Sequence, residues 1–521
     1  MNSLAVLYGG RLFPAAFEKV FDGKCALDLA LERVRRFPGV GKAVLLCAEG
    51  TVYPELPGDV TLVSRPAWTR KSLLETLSAL GAGFDLTYFA WADCPFPDPA
   101  LTAAIAERHL KYAAEYSYAD GWPYGFAPEL LSPGTAGILA KIAGEDENPV
   151  ERDSIFAVLQ KDINAFDIET EISDIDLRSH RLSLSADSRR NLLLLTRFAS
   201  AAKAKGNVAG IPAASDAAEI IASSPEILRT LPNFYPVQVS GACPQACAIC
   251  PYPQFTGGGF MEPHQFEILL DKIIAFSGDA VIDLSLWGEI SLHPRRLELV
   301  KLVLDRPELS LIIETSGVGW KSGDPEAIAD LAVKAADAKP CSTLPPLSWI
   351  VSLDTTDPQR YQEIRGPGFA EAVDCAKKLL ALFPKDAYVQ AVRTTGAEDD
   401  IEKFYRSWKG APNGAANIII QKYDDFCGAL PKKQASDLSP VQRQPCWHIM
   451  RDMPVLLDGT VPLCREDLSA LKGEGQQILG NVFKDSLETI WEQGAQLYEK
   501  HCTGQYPAFC AGCDEYYTYN F

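Results

Sequence analysis

Short apolar runs alternate with longer amphipathic stretches through the first 200 residues. Two stretches, Leu27 to Phe37 and Pro99 to Glu115, have the three-to-four-residue spacing of apolar side chains that predicts helices. Four runs rich in β-branched and aromatic residues predict strands, and these are Leu4 to Leu7, Ala43 to Leu46, Val60 to Val63 and Leu86 to Ala90. The alternation predicts an α/β domain over residues 1–200.

A second series of strand-like runs begins near residue 233, after an Ala-, Ser- and Lys-rich segment that predicts a linker over residues 201–232. Its six members are Pro236 to Ser240, Val281 to Trp287, Leu309 to Glu314, Trp349 to Leu353, Tyr388 to Val392 and Asn417 to Gln421. Their spacing suits β/α units and predicts an incomplete parallel barrel over residues 233–425, followed by a small domain over residues 426–521. In parallel α/β barrels the loops after the strands build the active site.

Charge and composition exclude some classes of function and leave the fold prediction unchanged. The chain has 49 basic and 68 acidic residues, and its net charge of −19 argues against general binding to nucleic acid or anionic membranes. No apolar run is long enough for a membrane span. The N-terminus lacks a basic region followed by an apolar core, so we expect a cytoplasmic protein with reduced thiols rather than disulfides.

Three cysteines carry the strongest chemical signal. Cys243, Cys247 and Cys250 follow the first predicted barrel strand with the spacing C-x3-C-x2-C. An electron-carrying 4Fe-4S cluster normally has four cysteine ligands, so three thiolates leave one iron open for a cofactor. A zinc site remains an alternative, although zinc favours paired C-x2-C knuckles with a fourth protein ligand.

This cysteine loop resembles the cluster loop of the radical S-adenosylmethionine (SAM) enzymes. The resemblance implies that SAM chelates the open iron and that an electron from the cluster splits SAM into methionine and a 5'-deoxyadenosyl radical. After the second strand, Trp287-Gly288-Glu289 resembles the glycine-glutamate motif of this family, whose backbone binds the methionine amine. The family usually has two glycines there, and Trp287 takes the place of the first.

Two later segments extend the resemblance. Glu314-Thr-Ser-Gly317 is similar to the turn after the third strand, and Ser352 to Arg365 is similar to the segment that holds the SAM ribose and carboxylate. A strand-ending serine can also cap a turn, and a helical arginine can form a solvated ion pair. The implied cofactor contacts are Gly288, Glu289, Ser316, Ser352 and Arg365. Three further candidates near the expected barrel mouth are Asp354, Gln390 and Arg393.

A second cysteine group lies in the last hundred residues. Its four matching members are Cys446, Cys464, Cys510 and Cys513. The pattern resembles the SPASM extension of radical SAM enzymes and implies one auxiliary 4Fe-4S cluster, although tetrahedral zinc would accept the same four thiolates. Asp458-Gly459 predicts a hairpin turn that delivers Cys464 beside Cys446. Cys427 and Cys502 are additional thiols, each an alternative ligand or an ordinary cysteine.

The N-terminal domain resembles the nucleotidyltransferases that make sugar nucleotides, which implies a GT-A or Rossmann-like fold. The similar segments are the loop Leu7 to Pro14, the Asp-x-Pro segment at Asp93 and the strand leading to Asp187, with Lys19 or Lys24 as the lysine of the family. Such aspartates suit Mg²⁺ carried by a nucleotide phosphate. The alternative is a degenerate domain that binds a nucleotide-sugar-like ligand or only protein.

The three parts together resemble the spirochaetal spiro-SPASM family. The predicted function is a radical SAM/SPASM enzyme that modifies a peptide or a glycan precursor such as a sugar nucleotide, with flavodoxin or ferredoxin as electron donor. The alternative is a cytidylyltransferase-like protein with a structural iron–sulfur or zinc tail. The sequence does not choose the substrate.

Overall fold

The computed structural model describes residues 1–521 except 54–55, 208–209, 253–257, 339–343, 411–415, 437–438, 442, 467, 469–477 and 518–521. The chain divides into two compact units, Met1–Thr230 and Leu231–Phe521. Within the described ranges, no helix combines the length and the apolar character that a membrane crossing requires.

A seven-stranded sheet forms the centre of the first unit. In chain order its strands are β1 (Ser3–Gly9), β2 (Val40–Ala48), β3 (Val60–Arg65), β4 (Leu86–Trp91), β5 (Tyr116–Asp120), β6 (Glu129–Leu131) and β7 (Ile168–Ile172). The spatial order is β3-β2-β1-β4-β6-β5-β7, and only β6 runs antiparallel to its neighbours in the described sheet. The four predicted strands are confirmed as β1 to β4. Both β1 and β4 are buried along their whole length, as expected for continuous apolar runs in a parallel sheet.

Helices accompany this sheet. They are α1 (Ala26–Val34), α2 (Arg70–Gly81), α3 (Pro99–Lys111), α4 (Thr135–Ala143), α5 (Ser154–Leu159), α6 (Arg189–Ala204) and α7 (Ala217–Ser223). Asp98 caps α3 by accepting from the backbone N–H of Ala100 at 2.7 Å. This helix ends four residues before the predicted end, and Ala113 just beyond it has a left-handed φ of 49°. The predicted linker contains the end of α6 and all of α7, whose Ile220 is buried.

The second unit begins with six parallel strands in consecutive order, as an incomplete (β/α)6 barrel requires. They are β8 (Phe234–Pro236), β9 (Ala280–Asp283), β10 (Leu309–Thr315), β11 (Leu347–Ser352), β12 (Ala387–Arg393) and β13 (Asn417–Lys422). Five of the six predicted strands overlap these strands by three residues or more, whereas the first, predicted over Pro236 to Ser240, shares only Pro236 with β8. Strand β9 stops four residues before the predicted Trp287, because Leu284 to Trp287 turn out of the sheet and Trp287 has a left-handed φ of 48°.

Helices follow most of these strands and continue into the C-terminal part. They are α8 (Pro263–Ser277), α9 (Arg296–Leu304), α10 (Asp324–Ala338), α11 (Pro358–Ile364), α12 (Phe369–Leu382), α13 (Glu398–Lys409), α14 (Trp447–Arg451), α15 (Leu487–Gln493), α16 (Ala495–Cys502) and α17 (Ala508–Ala511). One apolar core runs from the barrel into the C-terminal part, from Trp349 of β11 to Ile490 of α15. The barrel and the cysteine-rich tail therefore share a core.

The predicted turn at Asp458-Gly459 forms and brings its two flanks together, because the Leu456 N–H donates to the Thr460 carbonyl at 2.8 Å. Gly459 has a φ of +84°, and its N–H donates to the Leu456 carbonyl at 2.9 Å. After the turn, β14 (Thr460–Pro462) pairs with β15 (Ile478–Asn481). Before it, the Val455 N–H donates to the Pro236 carbonyl at 2.8 Å. Strand β8 lies at the edge of the barrel sheet. The backbone groups on its outer side hydrogen-bond to the segment that precedes the turn instead of to another strand.

Candidate active site

Three cysteines converge on a cavity of about 270 Å³ at the carboxyl ends of the barrel strands. Cys243, Cys247 and Cys250 line this cavity and are each half-buried. Burial raises the pKa of Cys243 to about 12 and that of Cys250 to about 11. Thiols with such pKa values are protonated at neutral pH, and they become thiolates when a bound metal centre stabilises the negative charge.

The donor set fits an iron–sulfur cluster. Three soft thiols face one cavity, and within the described part of the chain no group of three or more His, Cys, Asp or Glu side chains is arranged to hold a single metal ion. Three thiols that line one cavity match the three cysteine ligands of a cubane cluster that keeps one iron open.

Gly288 packs directly against the backbone of the cysteine loop. A Cβ at this position would lie 1.9 Å from the Ser240 carbonyl oxygen, which no side chain tolerates. The next N–H, that of Glu289, donates to the Ala242 carbonyl at 2.9 Å. The glycine-glutamate segment and the cysteine loop are thus held together main chain to main chain, which explains why glycine is required here.

Glu289 joins two of the loops around the cavity. Its buried carboxylate accepts from the Thr315 hydroxyl at 2.7 Å and from the Ser316 N–H at 2.7 Å. Burial raises the pKa of Glu289, and these donors favour its charged form. The structure therefore brings the predicted contacts Glu289 and Ser316 together, with the glutamate fixing the loop after β10.

Trp287 opens the glycine-glutamate segment with an unusual backbone conformation. Its φ of 48° lies in the left-handed region that favours glycine. The ring is buried, stacks on Tyr252 with centroids 6.2 Å apart and contacts Phe426 at 5.4 Å. Left-handed backbone costs about 1–2 kcal/mol, and burying a large apolar side chain contributes about 1.5–3 kcal/mol. Ring burial therefore offsets the strain.

Arg365 lies beside the cysteine loop rather than in solvent. Its Nε donates to Asp354 Oδ2 at 2.6 Å, both side chains are buried, and Nη1 is 3.9 Å from the Cys247 sulfur. Asp354 also accepts from the Val392 N–H at 2.8 Å. Burial raises the pKa of Cys247, and the Arg365 charge opposes that shift. The interpretation of Arg365 as a surface ion pair is therefore wrong.

Glu314, Ser352 and Gln390 form a hydrogen-bonded group that lines the cavity. Glu314 accepts from the Ser352 hydroxyl at 2.9 Å and from Gln390 Nε2 at 2.7 Å. Gln390 Oε1 is buried and accepts no hydrogen bond from any described residue. Sequence reasoning quoted Glu314 within the Glu314–Gly317 segment but did not assign it to the site, although it is a charged residue in an otherwise apolar strand. Arg393, by contrast, is exposed at the end of β12 and does not line the cavity.

Three further carboxyl groups line the cavity, those of Asp283, Asp424 and Glu466. Burial raises the pKa of Asp283 to about 7, and burial with the neighbouring Glu466 carboxyl raises that of Asp424 to about 9. Sequence reasoning missed all three, because they come from the end of β9, the segment after β13 and the segment after Cys464. The three basic side chains that line the cavity are ion-paired, in the pairs Arg365 with Asp354, Lys422 with Asp514 and Arg465 with Glu466.

We expect Asp283→Asn to stabilise the protein more at pH 8 than at pH 5.5. The unfolded carboxyl ionises near 3.8 and the folded one near 7, so the folded state binds a proton between these values. The contribution of Asp283 to the free energy of unfolding of wild type therefore falls as the pH rises from about 4 to 7, and it does not change above pH 7. The gain from asparagine should be larger at pH 8 by roughly 2 kcal/mol, measured by urea unfolding under anaerobic conditions. Asp305→Asn, at an exposed carboxylate, is the control. Equal gains at both pH values would contradict the shifted pKa.

The second cysteine group also assembles. All four predicted members, Cys446, Cys464, Cys510 and Cys513, line one small enclosed pocket. Burial raises the pKa of Cys446 to about 12. The Cys427 thiol hydrogen-bonds to Cys513, which raises the pKa of Cys427, so a fifth thiol joins the group. Cys502 does not line the pocket and packs in the apolar cluster around Tyr498.

The two predicted metal-binding aspartates of the first unit also come together, but around a guanidinium. Arg152 donates to Asp93 at 2.6 and 2.9 Å and to Asp187 at 3.1 Å. Lys24 pairs with Glu32 at 2.7 Å on the surface, and Lys19 is exposed. The residues of this site therefore do not fit the predicted Mg²⁺.

Comparison with known proteins adds independent findings. Residues 446–514 match the SPASM family, described as an iron-sulfur cluster-binding domain. A protein of Treponema pallidum (strain Nichols), named "Uncharacterized protein", is 34% identical over 377 residues, which is 70% of this chain and 98% of that protein. A second protein of the same organism and name is 38% identical over 63 residues, 12% of this chain and 29% of that one.

Three solved structures share parts of the fold at low identity. SuiB of Streptococcus suis bound to the precursor peptide SuiA is 14% identical with a TM-score of 0.40, over 53% of this chain and 68% of that chain. The enzyme anSMEcpe with bound AdoMet is 13% identical with a TM-score of 0.39, over 53% and 84%. A cytidylyltransferase of Leptospira borgpetersenii serovar Hardjo-bovis (strain JB197) is 17% identical with a TM-score of 0.35, over 44% and 95%.

Residues 446–514 form a SPASM domain, an iron-sulfur cluster-binding domain. In front of it, a parallel barrel carries three thiols after its first strand and a glycine-glutamate segment after its second, the arrangement that resembles the radical SAM enzymes. The chain belongs to the same family as the Treponema pallidum protein with which it shares 34% identity.

Proposed function

We propose that this enzyme cleaves SAM reductively at a 4Fe-4S cluster held by Cys243, Cys247 and Cys250, and that the resulting 5'-deoxyadenosyl radical takes a hydrogen atom from a substrate. The observation that carries this proposal is the convergence of three thiols, with no fourth cysteine among the described lining residues, on a cavity that also contains the glycine-glutamate loop. When bound, the cluster supplies the electron that splits SAM. A small protein such as flavodoxin or ferredoxin is the proposed source of that electron.

The side chains around the thiols have distinct proposed roles in holding SAM. Arg365, held by Asp354, supplies positive charge beside Cys247 and favours the thiolate that would hold the SAM-binding cluster. Glu314 and Gln390 offer acceptors to adjacent hydroxyl groups of a ribose, with Ser352 fixing the glutamate. Trp287 and Phe426 cover one side of the cavity and exclude water from the radical. Glu289 is a positioning residue, since its carboxylate is fully engaged by the loop after β10.

The charge distribution favours a peptide over a sugar nucleotide as substrate. A sugar nucleotide carries a diphosphate, which needs basic side chains that are free to bind it. Every basic side chain on the described cavity wall is already ion-paired, and the carboxyls of Asp283, Asp424 and Glu466 face the same space. A peptide segment with a neutral or basic side chain suits this wall, and the solved complex of SuiB contains a precursor peptide.

The four thiols Cys446, Cys464, Cys510 and Cys513 are proposed to hold one auxiliary 4Fe-4S cluster. They share one pocket, and the match of residues 446–514 to the SPASM family supports this assignment. A closed shell of four thiolates suits electron transfer or substrate positioning rather than SAM binding.

The deciding experiment is an anaerobic assay of the reconstituted protein with SAM and dithionite, in which iron, sulfide and 5'-deoxyadenosine are measured together. We expect about eight irons per chain, as two cubane clusters require, and deoxyadenosine that appears only with reductant. Zinc without sulfide would overturn the proposal in favour of a structural metal protein.

Substrate class can be tested with the same assay. We expect a peptide fraction from the source cells to increase the rate of deoxyadenosine formation, and deuterated peptides to transfer deuterium into deoxyadenosine. A panel of sugar nucleotides should do neither. Deuterium transfer from a sugar nucleotide would refute the peptide assignment without affecting the proposal of SAM cleavage.

A further inference from the structure

The first unit contains a charge cluster that the proposed SAM chemistry does not use. Asp93 lies two residues after β4, Asp187 lies just before α6, and Arg152 precedes α5. The Asp93 side chain is 2% exposed, and both of its oxygens accept from Arg152, at 2.9 and 2.6 Å. The same guanidinium donates to Asp187 at 3.1 Å. One cation thus bridges the two carboxylates.

Protein groups also hold the rest of this cluster. Asp187 accepts from the Ser185 hydroxyl at 2.8 Å and from Asn191 Nδ2 at 2.7 Å. The Arg152 guanidinium lies 4.2 Å from the centroid of the Trp91 ring, within the range of a cation–π contact. The arginine is therefore fixed by two carboxylates and an aromatic ring.

A divalent cation and this guanidinium cannot share the site. Mg²⁺ binds carboxylate oxygens at about 2.1 Å in near-octahedral geometry and keeps several waters. The guanidinium nitrogens already lie 2.6 to 3.1 Å from the oxygens that the ion would need. Placing Mg²⁺ there would expel Arg152 and leave its charge without a partner in a largely buried position, which is strongly unfavourable.

The glycine loop supplies an independent observation of the same kind. A Cβ on Gly10 would lie 2.5 Å from the Trp68 ring and 2.9 Å from the Tyr8 ring. The Tyr8 ring in turn packs edge-on against Trp91, with centroids 4.8 Å apart. Aromatic side chains, rather than the approach of a phosphate, therefore account for the glycine in this loop.

We infer that Arg152 permanently takes the place of the divalent cation in the first unit, which retains the two aspartates but carries out no metal-dependent nucleotidyl transfer. The guanidinium of Arg152, with one positive charge, makes the hydrogen bonds to Asp93 and Asp187 that the ion would otherwise replace with metal–oxygen bonds. This inference is independent of SAM cleavage, because it concerns the other unit and other residues. It also predicts that removing the arginine uncovers a latent two-carboxylate cation site.

The test is Mn²⁺ binding to the full-length, cluster-containing protein, followed by the electron paramagnetic resonance signal of free Mn²⁺. Wild type and Asp93→Asn should bind the same amount of Mn²⁺, because Asp93 holds no ion in wild type. Arg152→Met should gain one site, at least tenfold tighter than any in wild type, and Arg152→Met combined with Asp93→Asn should lose it. Arg108→Met, which removes an arginine paired with a single half-buried glutamate, is the matched control and should gain none.

Two further measurements on wild type keep the inference testable if Arg152→Met does not fold. Millimolar Mg²⁺ should leave the melting temperature of wild type unchanged, and wild type should release no pyrophosphate from a panel of nucleoside triphosphates with sugar phosphates. A Mg²⁺-dependent rise in melting temperature, or pyrophosphate release, that Asp93→Asn abolishes would overturn the inference. So would an Arg152→Met protein that folds but gains no Mn²⁺ site.

Discussion

Replacing Cys243, Cys247 and Cys250 together by alanine is expected to lower 5'-deoxyadenosine formation to the level measured without enzyme. The expected loss of rate is at least about 1,000-fold. The three thiols are the only described cysteines that line the main cavity. Iron should fall to about half of the wild-type content, because one of two cubane clusters is lost. Iron, sulfide and deoxyadenosine in one anaerobic preparation measure both effects.

Cys375→Ala is the matched control for this variant. Cys375 is also half-buried, and burial raises its pKa to about 12, but it lies on α12 and does not line the cavity. It should keep the iron content and the activity of wild type. Deoxyadenosine formation that survives in the triple variant would show that SAM is cleaved elsewhere or not by this cluster.

Gly288→Ala should abolish SAM cleavage although all three thiols remain. The added Cβ would lie 1.9 Å from the Ser240 carbonyl oxygen, so the loop after β9 and the cysteine loop must move apart. That movement would break the hydrogen bond from the Glu289 N–H to the Ala242 carbonyl and displace the first thiol, which is one residue away. We expect a loss of at least 100-fold in deoxyadenosine formation, since small misplacements at reacting centres have effects of this size.

Gly83→Ala serves as the control, because a Cβ there meets no atom within 4 Å. Loss of the cavity cluster with retention of the auxiliary cluster in Gly288→Ala would be visible as a partial loss of iron. If Gly288→Ala retained wild-type activity, the close contact between the two loops would not be required for the site. The two variants separate the chemical role of the thiols from the geometric role of the loop that supports them.

The strand pattern was predictable because central parallel strands are buried on both faces and leave continuous apolar runs, as in β1, β4 and β11. Five of the barrel strands and the first four strands of the first unit were found in this way. Strand ends were less predictable. Strand β9 ends early because Trp287 adopts a left-handed φ, and the partner of the segment before Gly459 is β8, which is more than 200 residues away in the chain. Neither effect leaves a local signal.

Sequence alone determined the features that depend on spacing within one loop. The C-x3-C-x2-C triple and the glycine-glutamate segment could be recognised because neighbours in the chain must be neighbours in space, whereas the C-terminal cysteines were recognised by their resemblance to the SPASM extension. Tertiary structure decided the rest. Arg152 is 59 residues from Asp93, and nothing near either residue indicates that a guanidinium takes the place of the predicted Mg²⁺. The wall of Asp283, Asp424 and Glu466 is likewise assembled from three distant segments. Distances between residues far apart in the chain are set by packing of the whole core, so only the folded structure reveals which charges meet.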